Sequence, residues 1–199
     1  MENSSEGSGF PPLVQQAYAA ARRVGFPLSR EESAGSGSAC LPGTGRFLAM
    51  LAASCSRIGE LGTGTGVGTA WMASAMPSEC TLVTAEIDER RAATARELFA
   101  DDLRVTVVTG DSYAAICLGG PYDLLFSDGG GGQENLVDLL AVGGRVVMDD
   151  ITPLELLPPD SPFRAGDPKR EFFASPRLAS AEVVLPDLRN ALLVGTRTA

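Results

Sequence analysis

The stretch that most limits what this chain can fold into is Arg57 to Met76, RIGELGTGTGVGTAWMASAM. A short apolar run through Ile58 and Leu61 ends at Gly62, and Gly64, Gly66 and Gly68 then alternate with small residues. Val67, Ala70, Trp71, Ala73 and Ala75 follow as a helix of small and apolar side chains. Strand, glycine turn and helix form the opening unit of a nucleotide-binding α/β domain. The turn requires positive φ, and a ligand can approach the backbone where no Cβ intervenes. The dinucleotide fingerprint is G-x-G-x-x-G. Counted from Gly62 its third glycine falls on Val67, and counted from Gly64 it falls on Thr69, so neither register fits. The pattern present is E-x-G-x-G-x-G, from Glu60 to Gly66.

Later segments continue the alternation of strand and helix. Thr81 to Glu86 (TLVTAE) reads as a second strand ending in an acid about two dozen residues beyond Gly62. A carboxylate there is placed to accept hydrogen bonds from the two hydroxyls of a bound ribose; the alternative is a solvated charge at a strand end. Asp88 is a plausible N-cap for the helix ERRAATARELFA, with Ala92, Ala95, Leu98 and Phe99 as its buried stripe. Val105 to Val108 is a third strand, followed by Gly110-Asp111-Ser112, where Asp111 either meets a ligand or caps the short helix Ser112 to Cys117. Tyr122 to Ser127 (YDLLFS) is a fourth strand with Asp128 at its carboxyl end, the edge where open α/β sheets bind ligands. Gly129 to Gly132 permits close approach or a mobile loop, and Asn135 to Leu140 is a short helix. Gly143 to Met148 is a fifth strand, leading into Asp149-Asp150. Ser180 to Leu185 and Ala191 to Thr196 are the last strands; the short connection between them requires an antiparallel pair.

In this order and spacing the chain resembles the class I S-adenosylmethionine-dependent methyltransferases, and from about Gly45 onward it is similar to their small O-methyltransferases of the catechol and caffeoyl-CoA type. The resemblance implies a Rossmann-like α/β fold. Its central seven-stranded, mostly parallel sheet would carry a final antiparallel strand pair and helices on both faces. It implies S-adenosylmethionine as cofactor, with Glu60, Gly62, Thr63, Gly64 and Gly66 at the first turn, Glu86 at the ribose, Ile87 next to it among the cofactor-binding residues, and Gly110, Asp111 and Ser112 at the adenine. It assigns Asp128 to both cofactor binding and catalysis, and makes Asp128, Asp149 and Asp150 the ligands of a divalent cation such as Mg²⁺. Such a cation would hold and ionise a small-molecule acceptor, for which oxygen ligands suit a hard ion. The chain departs from that family at three places: Asp150 stands where the third ligand is usually Asn, Gly131 where a base lysine is usual, and the segment between Asp128 and Asp149 is shortened. The alternatives are a metal-independent small-molecule N- or O-methyltransferase and a non-catalytic protein that binds the same cofactor.

Composition narrows the chemistry. There is no histidine, and Lys169 is the only lysine, so Ser-His-Asp and Cys-His hydrolases and His-based metal sites are excluded. A net charge of −9 argues against a nucleic-acid partner. Cys40, Cys55, Cys80 and Cys117 form no C-x-x-C pair and read as reduced, packed thiols. The polar, acidic N-terminus lacks the form of a signal peptide, and no apolar run approaches the ~20 residues of a membrane span, so a cytoplasmic location without membrane association is expected.

The expected organisation is a disordered tail over 1–12 and a single domain over 13–199. Within that domain, 13–54 form a helical cap, 57–150 the cofactor core, 151–178 a substrate-side insertion and 179–199 the terminal strand pair, in a chain that could form a homodimer. In the cap, Leu13 to Val24 is helical, with Leu13, Ala17, Ala20, Ala21 and Val24 recurring at helical spacing. Thr44 to Ser54 is a second helix facing inward through Phe47, Leu48 and Leu51. Arg30 to Ala39 between them is a linker that either folds over the cofactor or lies on the surface. In the Pro-rich insertion, Arg164, Lys169 and Arg170 could meet an anionic group and Phe163, Phe172 and Phe173 could stack on a ring. Solvated charge and ordinary packing are the competing reading.

Overall fold

The computed structural model describes residues 9–33, 37–128, 135–164, 166–185 and 190–199. Most of the expected tail, part of the expected linker, the glycines 129–132 and most of the 186–190 connection lie outside the described residues.

Three helices precede the first strand: α1 (Pro12–Arg23), the single turn α2 (Arg30–Ser33) and α3 (Pro42–Ala52). The sheet then alternates with helices through β1 (Arg57–Leu61), α4 (Val67–Ala73), β2 (Thr81–Glu86), α5 (Glu89–Leu98), β3 (Val105–Thr109), α6 (Ser112–Cys117) and β4 (Tyr122–Ser127). It continues through α7 (Leu136–Leu139), β5 (Leu140–Ile151), α8 (Pro168–Phe173), β6 (Leu178–Val184) and β7 (Ala191–Arg197). The strands form one seven-stranded sheet in the order β3-β2-β1-β4-β5-β7-β6. The first five pair in parallel, and β7 runs antiparallel to both β5 and β6, as the short final connection requires. Strand order reverses between β1 and β4, and a crevice at the carboxyl edge is expected at such a switch point.

Alternation along the strands sorts the core onto the two sheet faces. Phe126, Val147 and Leu192 join the cluster under α1, α3, α4 and α5. Their neighbours Leu125, Val146, Met148 and Leu193 join the cluster with Ile116 of α6, Leu136 of α7 and Phe173 of α8. Helices therefore cover both faces, as expected.

Some boundaries differ from the sequence reading. In α1 the buried stripe is Val14, Ala17, Tyr18 and Ala21, and Val24 is exposed. The phase follows Tyr18, whose hydroxyl donates to the Cys40 carbonyl at 2.7 Å and so draws that face inward. β5 starts three residues early and runs to Ile151, so Asp149 and Asp150 lie within its irregular last turn of pairing rather than beyond it. In the insertion, Phe173 packs on β7 where Gly195 leaves room for its ring, and Arg170 is held by Asp167 and Glu182 at 2.9 Å each. Packing explains both residues.

Candidate active site

The turn after β1 is built from left-handed glycines. Gly62, Gly64 and Gly66 have φ of 95°, 54° and 96°, which side chains rarely adopt. The N–H groups of Gly62 and Thr63 both donate to the Ala85 carbonyl, so the turn is fastened to the end of β2. The same edge places Glu86, only 5% exposed, beside the turn. Its Oε2 accepts from the Gly64 N–H at 2.8 Å, and its Oε1 accepts from the Asp88 N–H at 2.9 Å. Arg91 lies 3.4 Å from Oε1 and stacks over the Phe26 ring, 5.6 Å from its centroid.

These residues border a cleft of about 270 Å³. Gly62, Gly64 and Glu86 form one side, and Gly110, Asp111 and Ser112 after β3 form another. Ile87 lines the rim and is 76% exposed, an apolar side chain left without a protein neighbour over most of its surface. Asp111 caps α6 through a 2.7 Å bond from the Ala114 N–H, so the capping and lining positions coincide. Asp128 and Asp150 also line the cleft. Gly37 and Ser38 reach the cleft from the cap, so the described end of the expected linker does face the site.

Glu60, Thr63 and Gly66 stand behind the turn and not on the cleft wall. Glu60 is buried beneath it and accepts from the Thr69 hydroxyl of α4. Burial pushes its carboxyl up to about 7 against the opposing effect of the Thr69 and Thr84 hydroxyls. The Thr63 hydroxyl pairs with that of Thr84. Gly66 precedes α4, where a Cβ would press on Phe99 at 2.9 Å.

At the ends of β4 and β5 the expected acids lie near one another but do not converge. Burial raises Asp128 well above the usual carboxylate range, and the charges of Asp149, Asp150 and Glu60 raise it further while Lys169 opposes them. Asp149 is buried, and its Oδ1 accepts from the Asn190 amide at 2.9 Å and the Asp150 N–H at 2.7 Å. Burial raises its pKa too, partly offset by those bonds. Asp150 is exposed with φ of 62°, the one described non-glycine residue at positive φ. Among the described residues no three acidic or thiol side chains are placed to hold one ion. The three-carboxylate cation cradle expected over Asp128, Asp149 and Asp150 is not assembled in this arrangement of their side chains.

Sequence reasoning missed the place of Phe26 and Arg91, and named Lys169 only as one of three cations that could meet an anionic group. Arg91 carried a signal, since a cation in a helix's first turn opposes the macrodipole and calls for an acidic partner. Phe26 had none. Lys169, on α8, sends its ammonium to the Asp149 carbonyl at 2.8 Å. A second cavity of about 340 Å³ opens there, and Asp150 lines both it and the first cleft.

Residues 60–151 match the model of a family described as a methyltransferase domain. A catechol O-methyltransferase of Niastella koreensis is 35% identical over 97 residues, 44% of this chain and 44% of that protein, so less than half of the relative's length is spanned. The O-methyltransferase from Bacillus cereus, solved in complex with SAH, superposes with a TM-score of 0.73 at 20% identity, covering 98% of this chain and 94% of that one. TomG from Streptomyces achromogenes, an O-methyltransferase involved in tomaymycin synthesis and solved in complex with SAM, gives 0.70 at 21% identity over 96% and 91% of the two chains. No helix among the described residues is long and apolar enough to cross a membrane.

Proposed function

We propose that this chain is a class I methyltransferase of the small O-methyltransferase type, and that it transfers a methyl group from S-adenosylmethionine to an oxygen of a small acceptor in the cytoplasm. The observation that carries this reading is Glu86, a buried carboxylate on the cleft wall, fastened to the left-handed glycine turn. Each of its oxygens accepts one main-chain N–H and keeps lone-pair capacity for a ribose hydroxyl. Asp111 and Ser112 are assigned to the adenine amino group, and Ile87 to the flank of the base. Gly62 and Gly64 allow close approach of the backbone, while Glu60, Thr63 and Gly66 hold the turn from behind.

The donor set suits this cofactor, because the acids Asp128 and Asp150 line the cleft that would receive its cationic sulfonium. When bound, S-adenosylmethionine supplies a methyl group on a good leaving sulfur. The protein's share is to align the acceptor oxygen in line with it and to exclude water. The test is calorimetric titration with S-adenosylmethionine, followed by turnover on a panel of phenols with and without chelator. Micromolar binding and methylation of an oxygen are expected, with the chelator arm separating a metal-assisted from a metal-independent reaction; absence of cofactor binding overturns the reading.

A further inference from the structure

We propose that the cavity beside α8 receives the methyl acceptor, a single-ring phenol bound as its phenolate against the Lys169 ammonium. This rests on the methyl-transfer reading above. The cavity, about 340 Å³, is of the size that holds a small ligand, and Ile151, Leu157, Phe163 and Pro168 give it apolar walls. Phe163 is 57% exposed on its lip, a ring with a free face for stacking. Asp150 belongs to both cavities, so an acceptor here adjoins the cofactor cleft.

Charge selects the class of acceptor. Arg170 is committed to Asp167, Glu182 and the Thr152 carbonyl. Arg164 is committed to the carbonyls of Leu154, Leu157 and Pro158. Lys169 differs: its ammonium, with three protons, donates to one carbonyl and makes no ion pair within 4 Å among the described residues. Asp149 presents that carbonyl, while its carboxylate is turned toward Asn190. A compact cation on an apolar cavity fits an anionic oxygen on a ring.

In the step itself the phenol's proton leaves to water. A phenolate lone pair then forms the new carbon–oxygen bond as the carbon–sulfur bond breaks, its electron pair remaining on sulfur. Lys169 acts by holding the oxygen and its charge, not as a base.

The test uses 4-nitrophenol, whose phenolate absorbs visible light, with the full chain as wild type, Lys169→Met and Lys169→Arg. Wild type is expected to bind the phenolate form and to enhance its band at a fixed pH below the dye's own pKa. Lys169→Met should lose that enhancement and bind at least tenfold more weakly, and Lys169→Arg should retain most of both. Cofactor affinity by calorimetry should match in all three. Equal dye binding by wild type and Lys169→Met overturns the proposal, as does failure of Lys169→Arg to restore it. Dye binding abolished by chelator and restored by Mg²⁺ also overturns it, in favour of an ion. If wild type binds no cofactor, the methyl-transfer reading falls, while the dye arms still judge the lysine.

Discussion

The Gly64 N–H donates to Glu86 Oε2 at 2.8 Å, so the glycine turn after β1 and the acid that ends β2 form one unit. Two strands that are neighbours in the sheet thus bring together residues far apart in sequence, with Leu61 opposite Ala85. Replacing Glu86 by Ala removes both the clamp on the turn and the acceptor for ribose. Hydrogen bonds to a charged group contribute about 1.5–3 kcal/mol each. Glu86→Ala is therefore expected to weaken S-adenosylmethionine by about a hundredfold or more in calorimetry. Unchanged affinity would remove Glu86 from the site.

Gly64 tests the backbone half of that unit. Its φ of 54° and the Phe26 ring, 3.3 Å from where a Cβ would stand, both oppose a side chain. Gly64→Ala should cost about 1–2 kcal/mol of stability from the left-handed backbone alone. It should also weaken the cofactor, because Phe26 must shift at the cleft wall. Denaturant unfolding and calorimetry on the same variant separate the two effects.

What was legible in the sequence was what local rules decide. TLVTAE and YDLLFS are strands at their expected limits, and Asp88 and Asp111 are N-caps because an acid before a helix meets unpaired N–H groups whatever surrounds it. Glu86 was legible because a strand-end position is fixed by pattern. The phase of α1 was not, since overlapping apolar stripes compete and the hydroxyl of Tyr18 decides by reaching Cys40, over twenty residues away. Nor was the orientation of Lys169, which the sequence offered only alongside Arg164 and Arg170: α8 must first dock Phe173 against β7 before the neighbouring lysine faces Asp149. The orientation of Asp149 likewise depends on Asn190, which arrives from the far end of the chain.

Gly45 supplies a stability prediction remote from the cleft. It lies in α3, and a Cβ there would overlap the indole of Trp71 in α4. Overpacking of a closed core costs about 1–3 kcal/mol. Gly45→Ala should lose stability in that range or above, with little change in cofactor affinity once folded. Trp71 is the sole tryptophan, so its fluorescence reports both the native shift and the unfolding midpoint.

Glu60 makes stability depend on pH in a definite direction. Burial lifts its carboxyl from 4.5 to about 7 in the folded chain. Between those values the folded state holds the proton and the unfolded state has lost it, so stability falls as pH rises through that window and then levels off. The full effect is about 3 kcal/mol at one pKa unit per 1.36 kcal/mol. Glu60→Gln removes this dependence and keeps an acceptor for Thr69. Its stability relative to wild type should therefore improve by about 2–3 kcal/mol between pH 4.5 and pH 8 in urea titrations. A constant difference across that range would show that Glu60 is ionised in the folded protein.

Asp150 separates backbone geometry from charge at the wall common to the two cavities. Its φ of 62° belongs to the left-handed region, which Asp and Asn enter more readily than other side chains and glycine enters freely. Asp150→Gly should raise stability by up to about 1 kcal/mol. Asp150→Asn should leave it within about 0.5 kcal/mol, because shape and local bonding are kept. Both substitutions remove the same negative charge from beside the proposed sulfonium and acceptor. If that charge matters, the two variants lose cofactor affinity by similar factors, several-fold in low salt and less in high salt. Affinity that falls in the glycine variant alone would mean that the kinked end of β5, and not the carboxylate, shapes the site.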